Sequence, residues 1–121
     1  AIVAATYNLT IDQSANWTIT FQYKDSNGTA INLTGFTAAL QIRATPQTTT
    51  PVLSLTTGSG ITITPLTGTI VVSATAVQTA AIPVVTGNQA VYLYDLEITS
   101  GTGVVTRIVQ GTATVTAAIT Q

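Results

Sequence analysis

The sequence predicts an all-β chain folded as an antiparallel, Ig-like β-sandwich of about eight strands. Short runs rich in Val, Ile, Thr and aromatic residues alternate apolar and polar side chains, the pattern of half-buried strands. Gly, Pro, Asn or Asp separates these runs about every eight to twelve residues, as in sandwich proteins. The chain has 121 residues, enough for one core without disulfides. We therefore expect an N-terminal arm at residues 1–6, a sandwich domain at residues 7–116 and a tail at residues 117–121.

The first half of the chain is predicted to contain three strands. A short strand at residues 7–11 ends at the turn-forming side chains of residues 12–16. Residues 17–23, WTITFQY, have the clearest period of two, and an Asn-Gly turn over residues 24–28 follows them. Residues 37–44 are Ala-rich, so a short helix is the alternative there. The Thr-Pro step that comes next favours a strand.

The second half is predicted to hold shorter strands and one helical turn. Glycine and proline turns separate strands at residues 52–56, 61–64 and 69–73. Residues 74–82, ATAVQTAAI, are Ala-rich with apolar side chains at three- and four-residue spacing, which favours a helical turn. Ser73 precedes this turn and is the expected N-cap, and Pro83 ends it.

The longest strand pair is predicted over residues 90–116. Two runs rich in Val, Ile, Tyr and Thr flank the sequence Ser-Gly-Thr-Gly, so these residues form a β-hairpin. Asp95, Glu97 and Arg107 share one solvated face if Glu97 lies opposite Arg107. The other face, which carries Tyr92, Tyr94, Leu96 and Ile98, is then buried.

The inward-facing apolar residues of all the strands are expected to form one core. They are Leu9, Ile11, Trp17, Ile19, Phe21, Leu40, Ile42, Leu53, Leu55, Ile63, Ile70, Val72, Tyr94, Leu96 and Ile108. Burial of the large side chains is worth roughly 1.5 to 3 kcal/mol each, before the entropy of the chain is subtracted.

The composition limits which partners the chain can have. Charged residues make up 6% of the sequence, the net charge is −1, and Thr supplies roughly a fifth of the residues. A surface of hydroxyl and amide groups repels a second copy only weakly, which favours assembly into a homo-oligomer. With three basic residues, binding to nucleic acid is not expected. The sequence also predicts no membrane span and no signal peptide, so we expect synthesis in the cytoplasm.

The residue types do not suggest enzymatic chemistry. His, Cys and Met are absent, which removes the imidazole base and the soft metal ligands, so no catalytic residue, cofactor or metal is expected. Asp95 and Glu97 have the spacing of a hydrolase acid and base, but beside Arg107 they are better explained as a charge cluster. A calcium loop at residues 25–28 would lack its closing Glu, so a turn is favoured.

Three further patterns have simple structural explanations. Asn-X-Thr sequences begin at Asn8, Asn16, Asn27 and Asn32, and they arise from the high Thr content. Trp17, Tyr92 and Tyr94 could form an aromatic platform for a sugar, although their alternation with polar residues favours the core. The glycine pairs at residues 58–60 and 101–103 are expected to be hairpin turns.

The N-terminal residues are the candidate partner-binding site. They are apolar without a strand or helix period, and an apolar arm that is not docked would be an exposed liability. The residues concerned are Ala1, Ile2, Val3, Ala4 and Ala5.

Several motifs together resemble a known group of domains. They are YNLTID, then WTITFQYKD, the Asn-Gly turn, INLTGFTAALQIR, GITIT, GTIVVS, and YLYDLEITSGTGVVTRIVQGTATVT. The resemblance is to small β-sandwich domains of tailed-phage virion proteins, which include the N-terminal domain of baseplate upper proteins and LtfC-type domains. It covers residues 7–116 and implies a structural virion protein without catalytic residues.

Within that group, the length of the chain favours a capsid decoration or cement protein. Such a protein binds the major capsid protein and its own copies on the surface of a virion assembled in the host cytoplasm. A tail or baseplate adaptor of the same fold is the first alternative. A carbohydrate-binding module is the second, and it requires aromatic side chains on an exposed face.

Overall fold

A computed structural model describes residues 5–25, 27–45, 47, 50–84 and 87–118. These residues form nine strands and two short helical segments. The strands are β1 (Ala5–Thr6), β2 (Leu9–Asp12), β3 (Trp17–Gln22), β4 (Thr37–Arg43), β5 (Leu53–Thr57), β6 (Gly60–Thr64), β7 (Thr69–Ala74), β8 (Gln89–Thr99) and β9 (Val105–Thr116). A 3-10 turn covers Pro65–Thr67, and helix α1 covers Ala76–Ala80.

The strands form one mixed sheet in the order β1-β9-β8-β4-β5-β6-β7-β3, and β2 also pairs with β9. The all-β prediction is confirmed. The expectation of purely antiparallel pairing is wrong for three pairs, because β1 and β2 both run parallel to β9, and β5 is parallel to β6. Alternation of side chains sets which face of a strand is buried but not its direction, so the sequence pattern could not reveal this.

The sheet nearly closes on itself, and few residues pair between β5 and β6. Only Thr56–Gly60 and Thr57–Ile61 pair between these two strands, on either side of a tight turn. The two ends of the strand order come together at an aromatic contact, where the rings of Tyr7 and Phe21 are 6.2 Å apart and nearly perpendicular. A single hydrophobic core therefore lies inside the curved sheet.

Most of the predicted core is buried, namely its members on β2, β4, β5, β7, β8 and β9. The exceptions are Trp17, Ile19 and Phe21 on β3 and Ile63 on β6, which are only partly buried. For β3 the reason is its place at the end of the strand order, with a neighbour on one side only.

The predicted helical turn is present, but its start differs from the expectation. Thr75, not Ser73, is the N-cap: its side chain accepts a hydrogen bond from the backbone N–H of Gln78, whose side chain accepts one from the N–H of Thr75. Ser73 lies in β7 instead. The helix buries Thr79 and leaves Val77 80% exposed, so a hydroxyl and not an apolar stripe attaches it to the fold.

Candidate functional site

The outer face of β4, β8 and β9 forms a concavity of about 500 Å³. The chain has three basic and four acidic residues, and two of each kind line this concavity. They are Arg43 on β4, Asp95 and Glu97 on β8, and Arg107 on β9. The charged residues of this nearly uncharged protein are therefore concentrated on one sheet face.

The hairpin register brings these charges together. β8 and β9 pair along their whole length, and Glu97 lies opposite Arg107, which is the register that a shared charged face requires. A register shift between Leu96 and Glu97 then places Asp95 opposite Gln110. Across the other edge of β8, Asp95 lies opposite Gln41 of β4. Asp95 is thus flanked by the amide side chains of Gln41 and Gln110.

The ion pair forms diagonally across the hairpin. Arg107 Nε lies 3.1 Å from Asp95 Oδ2, and Arg107 Nη1 donates to Gln110 Oε1 at 3.2 Å. Arg43 Nη2 donates to Gln41 Oε1 at 2.6 Å. Within the described ranges, the carboxylate of Glu97 has no hydrogen bond or ion pair. Since Asp95 is engaged by a guanidinium, the geometry favours a charge cluster over an acid and base poised for hydrolysis.

β1 and β2 are fixed against β9 by contacts at Tyr7 and Asn8, the two residues between these strands. The contacts are made to the backbone of Tyr7 and to the side chain of Asn8. Tyr94 Oη donates to the carbonyl oxygen of Tyr7 at 2.5 Å, and the backbone N–H of Thr112 donates to Asn8 Oδ1 at 3.2 Å. A Cβ at Gly111 would lie 2.3 Å from the same Tyr7 oxygen, so only glycine permits this approach. Burial, and then the nearby Tyr7, raises the pKa of Tyr94 to about 12.

The predicted partner-binding arm lies mostly outside the described residues, which begin at Ala5. Residues 1–4 precede them. Ala5 and Thr6 form β1, and their partners in β9 are Val109 and Gln110. The last two residues of the expected arm therefore belong to the sheet.

The other candidate polar residues serve turns and connections. Asp25 Oδ1 accepts hydrogen bonds from the backbone N–H groups of Asn27 and Thr29, which is the turn chemistry that the sequence favours. Asn16 Oδ1 accepts from the N–H of Ala76, and Thr79 Oγ1 donates to the carbonyl of Ala15 at 2.9 Å. These bonds attach α1 to the connection between β2 and β3.

The three residues of the possible sugar platform lie apart. Trp17 is half-buried on β3, whereas Tyr92 and Tyr94 lie on β8, and four strands separate β8 from β3 in the sheet order. Tyr94 is buried, and the Tyr92 hydroxyl donates to the carbonyl of Pro83. Burial raises the pKa of Tyr92. The expectation that alternation places these aromatic rings against the core is confirmed for Tyr94 and partly for the other two.

One feature that the sequence reasoning missed is the outer edge of β3, which no strand among the described residues covers. β3 pairs antiparallel with β7 from Trp17–Ala74 to Gln22–Thr69 and is the last strand in the order. The position of a strand within a sheet depends on contacts between distant segments, so alternation alone does not reveal an edge. The signal that could have suggested it is the half-polar, uncharged sequence WTITFQ.

No family model matches this chain, and the curated proteins contain no match to it. In the part of the chain that the structure describes, no helix has the length and apolar character that crossing a bilayer requires. The same residues contain no group of three or more His, Cys, Asp or Glu side chains that could hold a metal ion.

Proposed function

We propose that this chain is a structural component of a tailed-phage virion, a capsid decoration or cement protein that binds the major capsid protein and its own copies. The observation that supports this most is the composition: only 6% of the residues are charged, so hydroxyl and amide groups supply most of the polar side chains. A surface of such groups packs against neighbours with little desolvation of ions. The resemblance to virion sandwich domains supplies the biological setting.

The proposal includes the finer fold class, an Ig-like sandwich. One layer would be β2-β9-β8-β4-β5 and the other β6-β7-β3, enclosing the single core between them. The small contact between β5 and β6, two residue pairs beside a turn, supports a division at that point. A sandwich of this kind offers outer faces and strand edges for contacts, which is what a protein at the junction of several subunits needs.

Two surfaces are suited to contact the shell. The concavity on β4, β8 and β9 carries both signs of charge, and Glu97 there has no partner among the described side chains, so it can receive a basic side chain of the capsid protein. The apolar residues 1–5 are the second, because their last member, Ala5, pairs with Val109 of β9.

The test is to count copies of this chain in purified virus particles by quantitative mass spectrometry. A decoration protein is expected at a copy number comparable to that of the major capsid protein, with antibody label on the head. A few copies per particle, with label on the tail, would instead indicate the adaptor alternative. Absence from the particle would contradict a virion role altogether.

A second experiment examines the N-terminal segment. Removing residues 1–4 leaves β1 in place and is expected to lower the occupancy of the chain on heads, because the apolar arm is lost. A matched variant that lacks residues 119–121 is the control. Full occupancy without residues 1–4 would exclude the arm as a main contact.

A further inference from the structure

The outer edge of β3 presents backbone groups in a regular row. At the position after β3, the N–H of Tyr23 donates to the carbonyl of Gly68 at 2.8 Å, so Tyr23 faces β7. Residues of an antiparallel strand face alternate sides, and those at odd positions in β3 therefore also bond to β7. The N–H and C=O groups of Thr18, Thr20 and Gln22 consequently point away from β7, towards the free edge.

Nothing in the sequence of β3 protects this edge. Proteins commonly block edge strands with charged side chains, Pro or a β-bulge. Residues 17–22 contain neither charge nor Pro, and their register with β7 is continuous over six pairs. A strand of this length with an open row of amides and carbonyls is a template for another strand.

We propose that β3 pairs antiparallel with β3 of a second copy of this chain, centred on Thr20. This deepens the proposed function and rests on its self-association part. A second copy of β3 fits this edge. In an antiparallel pair, the amide N–H groups of each strand lie opposite the carbonyl groups of the other, so the same row of groups on a reversed strand is complementary. Thr20 is the middle of the three outward-facing residues, so centring the pair there places Thr18 opposite Gln22 and uses all of them.

The side chains agree with this register. On the half-buried face, Ile19 lies opposite Phe21 of the second copy, and Trp17 lies opposite Tyr23. All four of these residues are only partly buried within one chain. Cross-strand pairs of aromatic and branched side chains stabilise sheets, and here they would cover the apolar area that β3 leaves exposed. On the other face, hydroxyl and amide groups meet, and no like charges oppose each other.

Analytical ultracentrifugation of the isolated chain tests the proposal with a backbone substitution. The wild type is expected to self-associate with rising concentration, and Thr20→Pro is expected to abolish this because it removes the central outward N–H. Pro is tolerated where an edge N–H faces solvent. Thr20→Ser, which keeps the N–H, is the control. A wild type that stays monomeric, or a Thr20→Pro variant that still associates, would overturn the proposal.

Substitution of Thr20 by charged residues tests the register of the pair. This test does not require β3 to accommodate Pro. Thr20→Lys and Thr20→Glu are each expected to weaken self-association about five-fold, since like charges then lie directly opposite each other. An equimolar mixture of the two is expected to recover association as a heterodimer. Failure of the mixture to recover would overturn the pairing centred on Thr20. Because this test uses the isolated chain, a negative result leaves the copy number on particles as an independent test of virion function.

Discussion

The two ends of the strand order differ in how their edges are closed. At one end, β1 has two residues and β2 has four, with Tyr7 and Asn8 between them. At the other end, β3 runs for six residues without interruption. The first edge also carries Asp12, whose Oδ1 accepts a hydrogen bond from Thr116 Oγ1 at 2.6 Å, whereas β3 carries no charge.

The difference teaches that specific contacts interrupt one edge, whereas the other is a continuous strand, which on our proposal a second copy completes. Tyr94, Thr112 and Gly111 fix the break between β1 and β2, so this edge is short and irregular. Short, interrupted edges are poor templates for further strands. β3 has no such device, and its half-buried apolar face gains from being covered.

The largest effect is expected from Gly111→Ala. The new Cβ would lie 2.3 Å from the carbonyl oxygen of Tyr7, so β1 must move away from β9. We expect a loss of about 2–3 kcal/mol in the free energy of unfolding, the scale of overpacking a tight contact. Urea denaturation measures it, and faster hydrogen exchange at Thr112 would locate the change.

Gly101→Ala is the matched control, because a Cβ there meets nothing closer than 3.6 Å. It is expected to change stability by less than about 0.5 kcal/mol, as is usual for an exposed site without such contacts. Equal losses in the two glycine variants would show that the close approach of Tyr7 to β9 is not what fixes the N-terminal edge.

A smaller effect at neutral pH is expected from Tyr94→Phe. The substitution removes the hydrogen bond to the carbonyl of Tyr7 and should cost about 1 kcal/mol. The same hydroxyl makes the N-terminal edge sensitive to alkali. Its pKa is raised from 10.0 to about 12 in the folded chain, so the folded state holds a proton that the unfolded state releases above pH 10.

The stability that comes from this raised pKa is complete below pH 10 and is lost as the pH rises to about 12. Wild type should therefore lose about 2 kcal/mol more than Tyr94→Phe over this interval. Urea denaturation at a series of pH values compares the two chains. Parallel pH profiles would contradict the burial of the Tyr94 hydroxyl against Tyr7.

The smallest effect is expected from Arg107→Gln, in the concavity on β4, β8 and β9. Its side chain is 52% exposed and that of Asp95 is 31% exposed, so water and salt screen their attraction. We expect a loss below about 1 kcal/mol that shrinks further in high salt. A loss as large as that of Gly111→Ala would mean that the charge cluster, and not the N-terminal contact, stabilises this side of the sheet.

The sequence was sufficient for the local features of the fold. Alternation and turn residues located the strands, whereas the register in which Glu97 lies opposite Arg107 had to be assumed. Contacts between distant segments of the chain could not be predicted from the sequence. The parallel pairing of β1 and β2 with β9 depends on Gly111. Nothing in the sequence distinguishes this glycine from the other glycines of the chain.

The pattern of apolar and polar residues also failed to identify two buried core residues and the N-cap of the helix. Leu33 and Ile82 are fully buried although they lie in connections, where alternation gives no signal. Thr75 takes the N-cap position because its partner Gln78 completes a capping box, whereas Ser73 continues β7. The charge cluster itself, with Arg43 near it, could be expected from the sequence, but the concavity around it could not, because it depends on the pairing of β4 with β8.

Hydrogen exchange at individual amides of β3, followed by NMR at low and high protein concentration, tests the contrast between the two edges most directly. In dilute solution, the amides of Thr18, Thr20 and Gln22 should exchange fast while those of Trp17, Ile19 and Phe21, which face β7, stay protected. At concentrations where the chain associates, the first three should become protected as well. Protection of these three amides in the dilute monomer, or continued fast exchange in the associated state, would contradict an open edge that a second copy completes.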